Sequence, residues 1–225
     1  MKRDITILVP HFDDEFLGCK TLIECNPERI KNIIFITDSS IEVPYDGVST
    51  DPNYYYLEES TTDLRASESE HWLSKFGLED LMIYFDIPDA FDYWFLSDVE
   101  GFYYKSFMKK YKQCPTDYFI DQLKKFSGDI IVSPHDTGHP AHRLAFNICR
   151  LFINNMSNSP KWIRYYSNKY HKKRKFKEDP EKKWREFKKY YPIAARDLEK
   201  SDYKLEPEAY FLNDQSLFKE LKWTM

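Results

Sequence analysis

The chain has 225 residues, 42% of them apolar and 17% aromatic, and a formal charge of −4. That length and apolar content exclude a disordered polypeptide and allow one domain with a substantial core. The small negative charge excludes attraction of the whole molecule to nucleic acid or acidic lipid, and no stretch approaches the roughly 18–20 apolar residues that cross a bilayer. Cys19, Cys25, Cys114 and Cys149 show no CxxC or finger-like spacing, so reduced, buried thiols are expected. The first apolar run is too short for a signal-peptide core and contains Thr6. A soluble, cytoplasmic protein is the expectation.

Short apolar runs alternate with helical patterns. Strands are expected at 5–10, 32–37, 81–85, 129–133 and 162–166, and helices near 15–24, 61–76, 117–126 and 142–155. This alternation is the mark of stacked βαβ units, an α/β fold with a mainly parallel, Rossmann-like sheet and helices on both faces. Ile33-Ile34-Phe35-Ile36 is apolar throughout, as strands covered on both sides are. Residues 39–60, with Pro44, Gly47, Pro52 and Tyr54-Tyr55-Tyr56, and the aromatic stretch 86–115 read as long loops, either walls of a substrate cleft or satellite packing. From Lys169 to Lys189 there are eleven Lys/Arg against four Asp/Glu, which suits a helix with a solvated basic face. The whole chain is read as a single domain, with a core at about 4–168 and a helical or irregular C-terminal extension at 169–225.

Two segments concentrate metal-binding side chains. Pro10-His11-Phe12-Asp13-Asp14-Glu15 follows the first strand, and Pro134-His135-Asp136-Thr137-Gly138-His139-Pro140-Ala141-His142 follows the fourth. Both stand past the carboxyl end of a strand, the edge where ligands bind in open α/β sheets. An imidazole and a carboxylate in the first turn suit a divalent metal such as zinc, one Asp ligating while its neighbour reaches a water as general base. The alternative is that Asp13 and Asp14 merely cap the helix that follows. In the second segment Gly138 and Pro140 interrupt a continuous helix, so one or two of the three histidines are expected to reach a metal. His11, Asp14 and His142 would then be three ligands with a fourth position left to water, the arrangement of catalytic sites. Asp13 is the natural base, and His139 a candidate for stabilising an oxyanion or protonating a leaving group. Such residues point to metal-assisted hydrolysis of an acyl or phosphoryl bond.

The first segment resembles the (A/P)HPDDE signature of the PIG-L/LmbE-like zinc-dependent N-acetylglucosaminyl deacetylases, and His139-Pro140-Ala141-His142 resembles their HPDH motif. Arg65-Ala66-Ser67-Glu68 with Phe76-Gly77 matches the family's R-x-x-E helix, and Glu208-Ala209-Tyr210 is similar to a late Glu-Ala-aromatic segment. The resemblance implies a Rossmann-like fold and Zn2+ (or another divalent metal) held at His11, Asp14 and His142. It implies Asp13 as base, His139 at the oxyanion or leaving amine, and Arg65 near the substrate. The implied activity is removal of acetyl from an N-acetylated amino-sugar conjugate. Two departures stand out. Phe12 replaces the usual Pro, removing a rigid φ restraint, and Ala141 replaces an Asp whose carboxylate would support a ligand. His135 and Asp136 are expected to stand in for that carboxylate or to line the substrate site.

The partner expected is thus a small-molecule N-acetylated sugar conjugate rather than nucleic acid, and a homo-oligomer is compatible with the sequence. One rival is a non-catalytic relative that binds a sugar or nucleotide ligand with a degraded metal site. The other is a nucleic-acid or membrane-surface protein acting through the basic segment, diluted as it is by Glu178, Asp179, Glu181 and Glu186.

Overall fold

The structure, a computed structural model, describes residues 2–37, 58–87, 112–126, 128–135, 140–156, 160–165, 173–175, 179–200, 208–212 and 216–223. The loops expected at 39–60 and 86–115 fall mostly outside these residues, as does part of the basic segment. In chain order the elements are β1 (Ile5–Val9), α1 (Asp14–Cys25), β2 (Ile30–Thr37), α2 (Glu58–Ser74), β3 (Met82–Ile87), α3 (Pro115–Phe126), β4 (Ile130–Pro134), α4 (Pro140–Asn155) and β5 (Lys161–Tyr165). They continue with β6 (Lys173–Lys175), α5 (Pro180–Tyr190), α6 (Pro192–Lys200), β7 (Ala209–Leu212) and α7 (Ser216–Glu220).

The strands form one sheet in the order β3-β2-β1-β4-β5-β7-β6. The first five run parallel, while β7 pairs antiparallel with β5 and β6 antiparallel with β7. Alternate side chains of the central strands feed two separate cores. Ile5, Ile7, Val9, Ile33, Phe35, Ile130 and Val132 pack with α1, α2 and the C-terminal helices. Leu8, Ile34, Ile36 and Ile131 pack with α3 and α4 on the opposite face. This two-sided burial explains why the strands read as continuous apolar runs. Thr6, Thr37 and Ser133 are the buried polar residues of these strands among the described residues, and the Oγ1 of Thr6 donates to Phe126 O at 2.8 Å and accepts from Gly128 N at 2.9 Å. It spends both hydrogen-bonding capacities on the turn that leads into β4.

The predicted helices and strands of residues 1–168 all form, with α4 starting two residues earlier than expected. Proline is tolerated at a first helical position, where its missing N–H costs no hydrogen bond. Beyond residue 168 the chain adds strands as well as helices, and Phe187, Tyr190, Tyr191, Ala194, Ala195 and Tyr210 enter the first core. Gly18 is required by that packing: a Cβ there would overlap the ring of Tyr165, whose hydroxyl donates to Leu8 O at 3.0 Å. Cys19, Cys25 and Cys149 are buried, Cys114 is half-buried, and no disulfide joins them. Among the described residues no helix is long and apolar enough to cross a membrane.

Candidate functional site

β1 and β4 are neighbours, but the connection after β1 leads to β2 on one side and that after β4 to β5 on the other. Their carboxyl ends therefore flank the switch point of the sheet, where chains diverge and leave a crevice. The turn after β1 enters this crevice and runs directly into α1. The first turn of α4 faces it from β4.

Three side chains meet there. His11 Nδ1 lies 3.2 Å and His142 Nε2 3.3 Å from Asp14 Oδ2, and the three ligand atoms fall within 4.8 Å of one another. Donors about 2.1 Å from a common tetrahedral centre stand about 3.4 Å apart, so the spacing and the donor chemistry both fit a divalent ion such as zinc. The Asp14 side chain is 5% exposed, while His11 and His142 keep 13% and 14%, so the group is open on the histidine side. Asp13 occupies the N-cap position of α1 but makes no side-chain cap hydrogen bond, and Asp14 turns toward the two imidazoles. The capping alternative therefore does not account for either carboxylate.

The two adjacent carboxyls are driven apart in acidity. For Asp14, burial alone would raise the carboxyl, but the charge and hydrogen bonds of His142 and His11 reverse this and hold it well below 3.8. Burial lifts Asp13 to about 8 despite Arg65, with Asp14 adding to the rise. Such divergence separates a carboxylate that stays ionised from one that exchanges protons near neutral pH. Arg65 Nη2 lies 3.1 Å from Asp13 Oδ2 and also donates to Phe12 O at 3.2 Å. The family resemblance implies that Arg65 lies near a substrate; in the structure its guanidinium is hydrogen-bonded to Asp13.

Phe12, expected to loosen the turn, is 2% exposed and packs on Phe35 at 4.8 Å between ring centres. Packing replaces the restraint that proline would supply. Ala141 is fully buried beside His142, so no carboxylate supports the histidine from that position. His135 is 4% exposed and stacks on Phe146 at 5.5 Å, its N–H bonded to Tyr165 O at 2.8 Å. It is not part of the three-residue group. His139 and Asp136 lie outside the described residues.

Sequence reasoning missed Glu15 and Tyr191. Glu15 is fully buried behind the turn, accepting from Asp13 N at 3.0 Å and from the Tyr191 hydroxyl at 2.5 Å. Burial raises its carboxyl, and burial beside Glu15 raises the Tyr191 phenol. The signal available in the sequence is the recurrence of Trp184, Phe187, Tyr190 and Tyr191 at helical spacing, which suits the apolar stripe of a helix.

No family model matches the chain, and no curated protein is similar to it in sequence. Solved structures are. A deacetylase of the teicoplanin biosynthetic pathway superimposes with a TM-score of 0.60 at 13% identity, over 94% of this chain and 99% of that one. N,N'-diacetylchitobiose deacetylase from Pyrococcus horikoshii matches with a TM-score of 0.51 at 16% identity, over 96% of this chain and 85% of that one. The 4-carboxy-2-hydroxymuconate hydratase of Pseudomonas putida matches with a TM-score of 0.51 at 11% identity, over 95% and 97%. The chain shares the fold of these enzymes, and deacetylases recur among them.

Proposed function

We propose that this protein is a zinc-dependent N-deacetylase of the PIG-L/LmbE type, hydrolysing the acetamide of an N-acetylated amino-sugar conjugate. The observation that carries the reading is the convergence of His11, Asp14 and His142 beside Asp13 at the sheet's switch point. Deacetylases built on the same fold support it.

A divalent cation held by His11, Asp14 and His142 would polarise the acetamide carbonyl and lower the pKa of a water molecule beside it. The chain's own groups do the rest. Asp13 accepts the proton of the attacking water, its carboxyl standing next to the ligand Asp14 at the start of α1. Arg65 steadies that carboxyl through its hydrogen bond to Oδ2. α1 and α4 both begin at the site, and their N-terminal dipole ends favour the negative charge that builds on the carbonyl oxygen. His139 has the role of delivering a proton to the departing amine.

The test pairs metal analysis of the purified chain with release of amine and acetate from a panel of N-acetylglucosamine conjugates, Asp13→Ala serving as control. Stoichiometric metal with acetate and amine formed together, both lost in the variant, is the expected result. Metal with no acetate from any conjugate would sink the deacetylase reading. Because a hydratase shares the fold, consumption of an unsaturated acid without acetate release would move the site to hydration.

A further inference from the structure

Asp13 stands at φ 125° and ψ −25°, a backbone setting that residues with side chains rarely adopt. Something must hold it there. The peptide joining Phe12 to Asp13 is gripped at both polar ends: Arg65 Nη2 donates to its carbonyl at 3.2 Å, and its N–H donates to Glu15 Oε2 at 3.0 Å. The second oxygen of Glu15 accepts from the Tyr191 hydroxyl at 2.5 Å. Tyr191 is itself fixed, its ring stacked on Phe187 at 5.1 Å and its N–H bonded to Phe187 O at 2.7 Å.

The chain then returns to its starting point. Just past Tyr191, the N–H groups of Ile193 and Ala194 donate to Glu68 at 2.5 and 3.3 Å. Glu68 lies on α2 three residues after Arg65, on the same side of the helix. The contacts thus close a ring from Asp13 through Glu15, Tyr191, the start of α6, Glu68 and Arg65 back to the Phe12–Asp13 peptide. Glu15 and Tyr191 are fully buried and Arg65 and Glu68 each 7% exposed, so water does not compete for these bonds.

We infer that Glu15 and Tyr191 are positioning residues for Asp13, fixing the plane of the Phe12–Asp13 peptide and thereby the direction in which Asp13 presents its carboxylate. The inference rests on reading Asp13 as the proton acceptor. It also makes residues beyond 168 part of the site's machinery.

Three variants of the full-length, metal-loaded chain test it. Tyr191→Phe removes one hydroxyl from an unchanged ring, Glu15→Ala removes the acceptor, and Glu15→Gln keeps an acceptor oxygen for the Asp13 N–H. Amide exchange at Asp13, followed by NMR, is expected to accelerate at least about tenfold in Glu15→Ala, less in Tyr191→Phe, and little in Glu15→Gln. In turnover on a conjugate that the parent deacetylates, kcat should fall about 10–100-fold in the first two, with KM nearly constant and Glu15→Gln partly rescued. Unchanged exchange at Asp13 overturns the clamp, and faster exchange with unchanged kcat overturns its role in positioning. Should Glu15→Ala not fold, Tyr191→Phe decides by itself. A parent that releases no amine defeats the deacetylase reading, while the exchange data still judge the clamp.

Discussion

The turn after β1 and the segment after β4 hold equivalent places at neighbouring strand ends, yet they are secured by different means. In the first, four consecutive residues divide their work. Phe12 packs on Phe35, Asp13 meets Arg65, Asp14 meets both histidines, and Glu15 turns back to Tyr191. Irregular backbone of this kind has no repeating geometry to hold it, so distant parts of the chain must. In the second, His142 takes its place from the first turn of a regular helix whose preceding residue, Ala141, is fully buried. A helix fixes its own side-chain directions, so His142 takes its direction from the regular backbone of α4. The lesson is that the more chemistry a turn carries, the more long-range support it requires.

The comparison breaks most visibly at Asp14, the carboxylate that both imidazoles approach. Asp14→Ala should weaken zinc binding by more than the roughly 100-fold upper range for loss of a supporting partner, and by more than His142→Ala does, as read by competition with a chromophoric chelator. The next effect concerns the helix behind the first turn. Lys183 Nζ donates to Leu17 O at 2.9 Å and pairs with Glu208, which accepts from Thr21 N, and the two side chains are 1% and 0% exposed. Lys183→Met leaves that carboxylate buried beside α1 and should cost about 3–5 kcal/mol in urea unfolding, partly recovered by adding Glu208→Gln.

A smaller effect follows from Asp13, whose folded carboxyl titrates at about 8 against an ordinary 3.8. Between those values the metal-free native state retains a proton that the unfolded chain has released. Raising the pH through that window therefore costs stability. Asp13→Asn cannot ionise and should gain on the parent over the window by at most about 1.4 kcal/mol per pH unit, measured by thermal unfolding in chelator. The smallest effect is expected at His135, which stacks on Phe146 outside the metal group. His135→Phe should cost less zinc affinity than the roughly tenfold at which loss of a supporting partner begins to tell. A larger loss would show that the second segment contributes more than His142.

The central strands were legible because burial on both faces leaves an unbroken apolar run, and α3 and α4 because their apolar positions recur at helical spacing. β6 and β7 were not. One is the tripeptide Lys173-Arg174-Lys175 and the other four residues long, and pairing at a sheet edge, rather than pattern, makes them strands. In the site, His11, Asp14 and His142 announced themselves by residue type and by their place after buried strands. Glu15 did not, because an acid in a helix's first turn ordinarily serves the dipole, and its actual partner lies 176 residues away. Arg65 was singled out through the family resemblance, and only the fold shows its hydrogen bond to Asp13.

That separation has a consequence for how the protein is made. Synthesis proceeds from the N-terminus, so the turn that carries His11 and Asp14 is made before the segments that complete its surroundings. His142 arrives more than a hundred residues later, and Tyr191 and Glu208 later still. A nascent chain can therefore fold much of its parallel sheet while Asp13 remains unclamped, and the site takes its final form only once Tyr191 and the start of α6 have been made. Truncation just before Tyr191 would then leave a chain with most of its parallel sheet and a turn still waiting to be set.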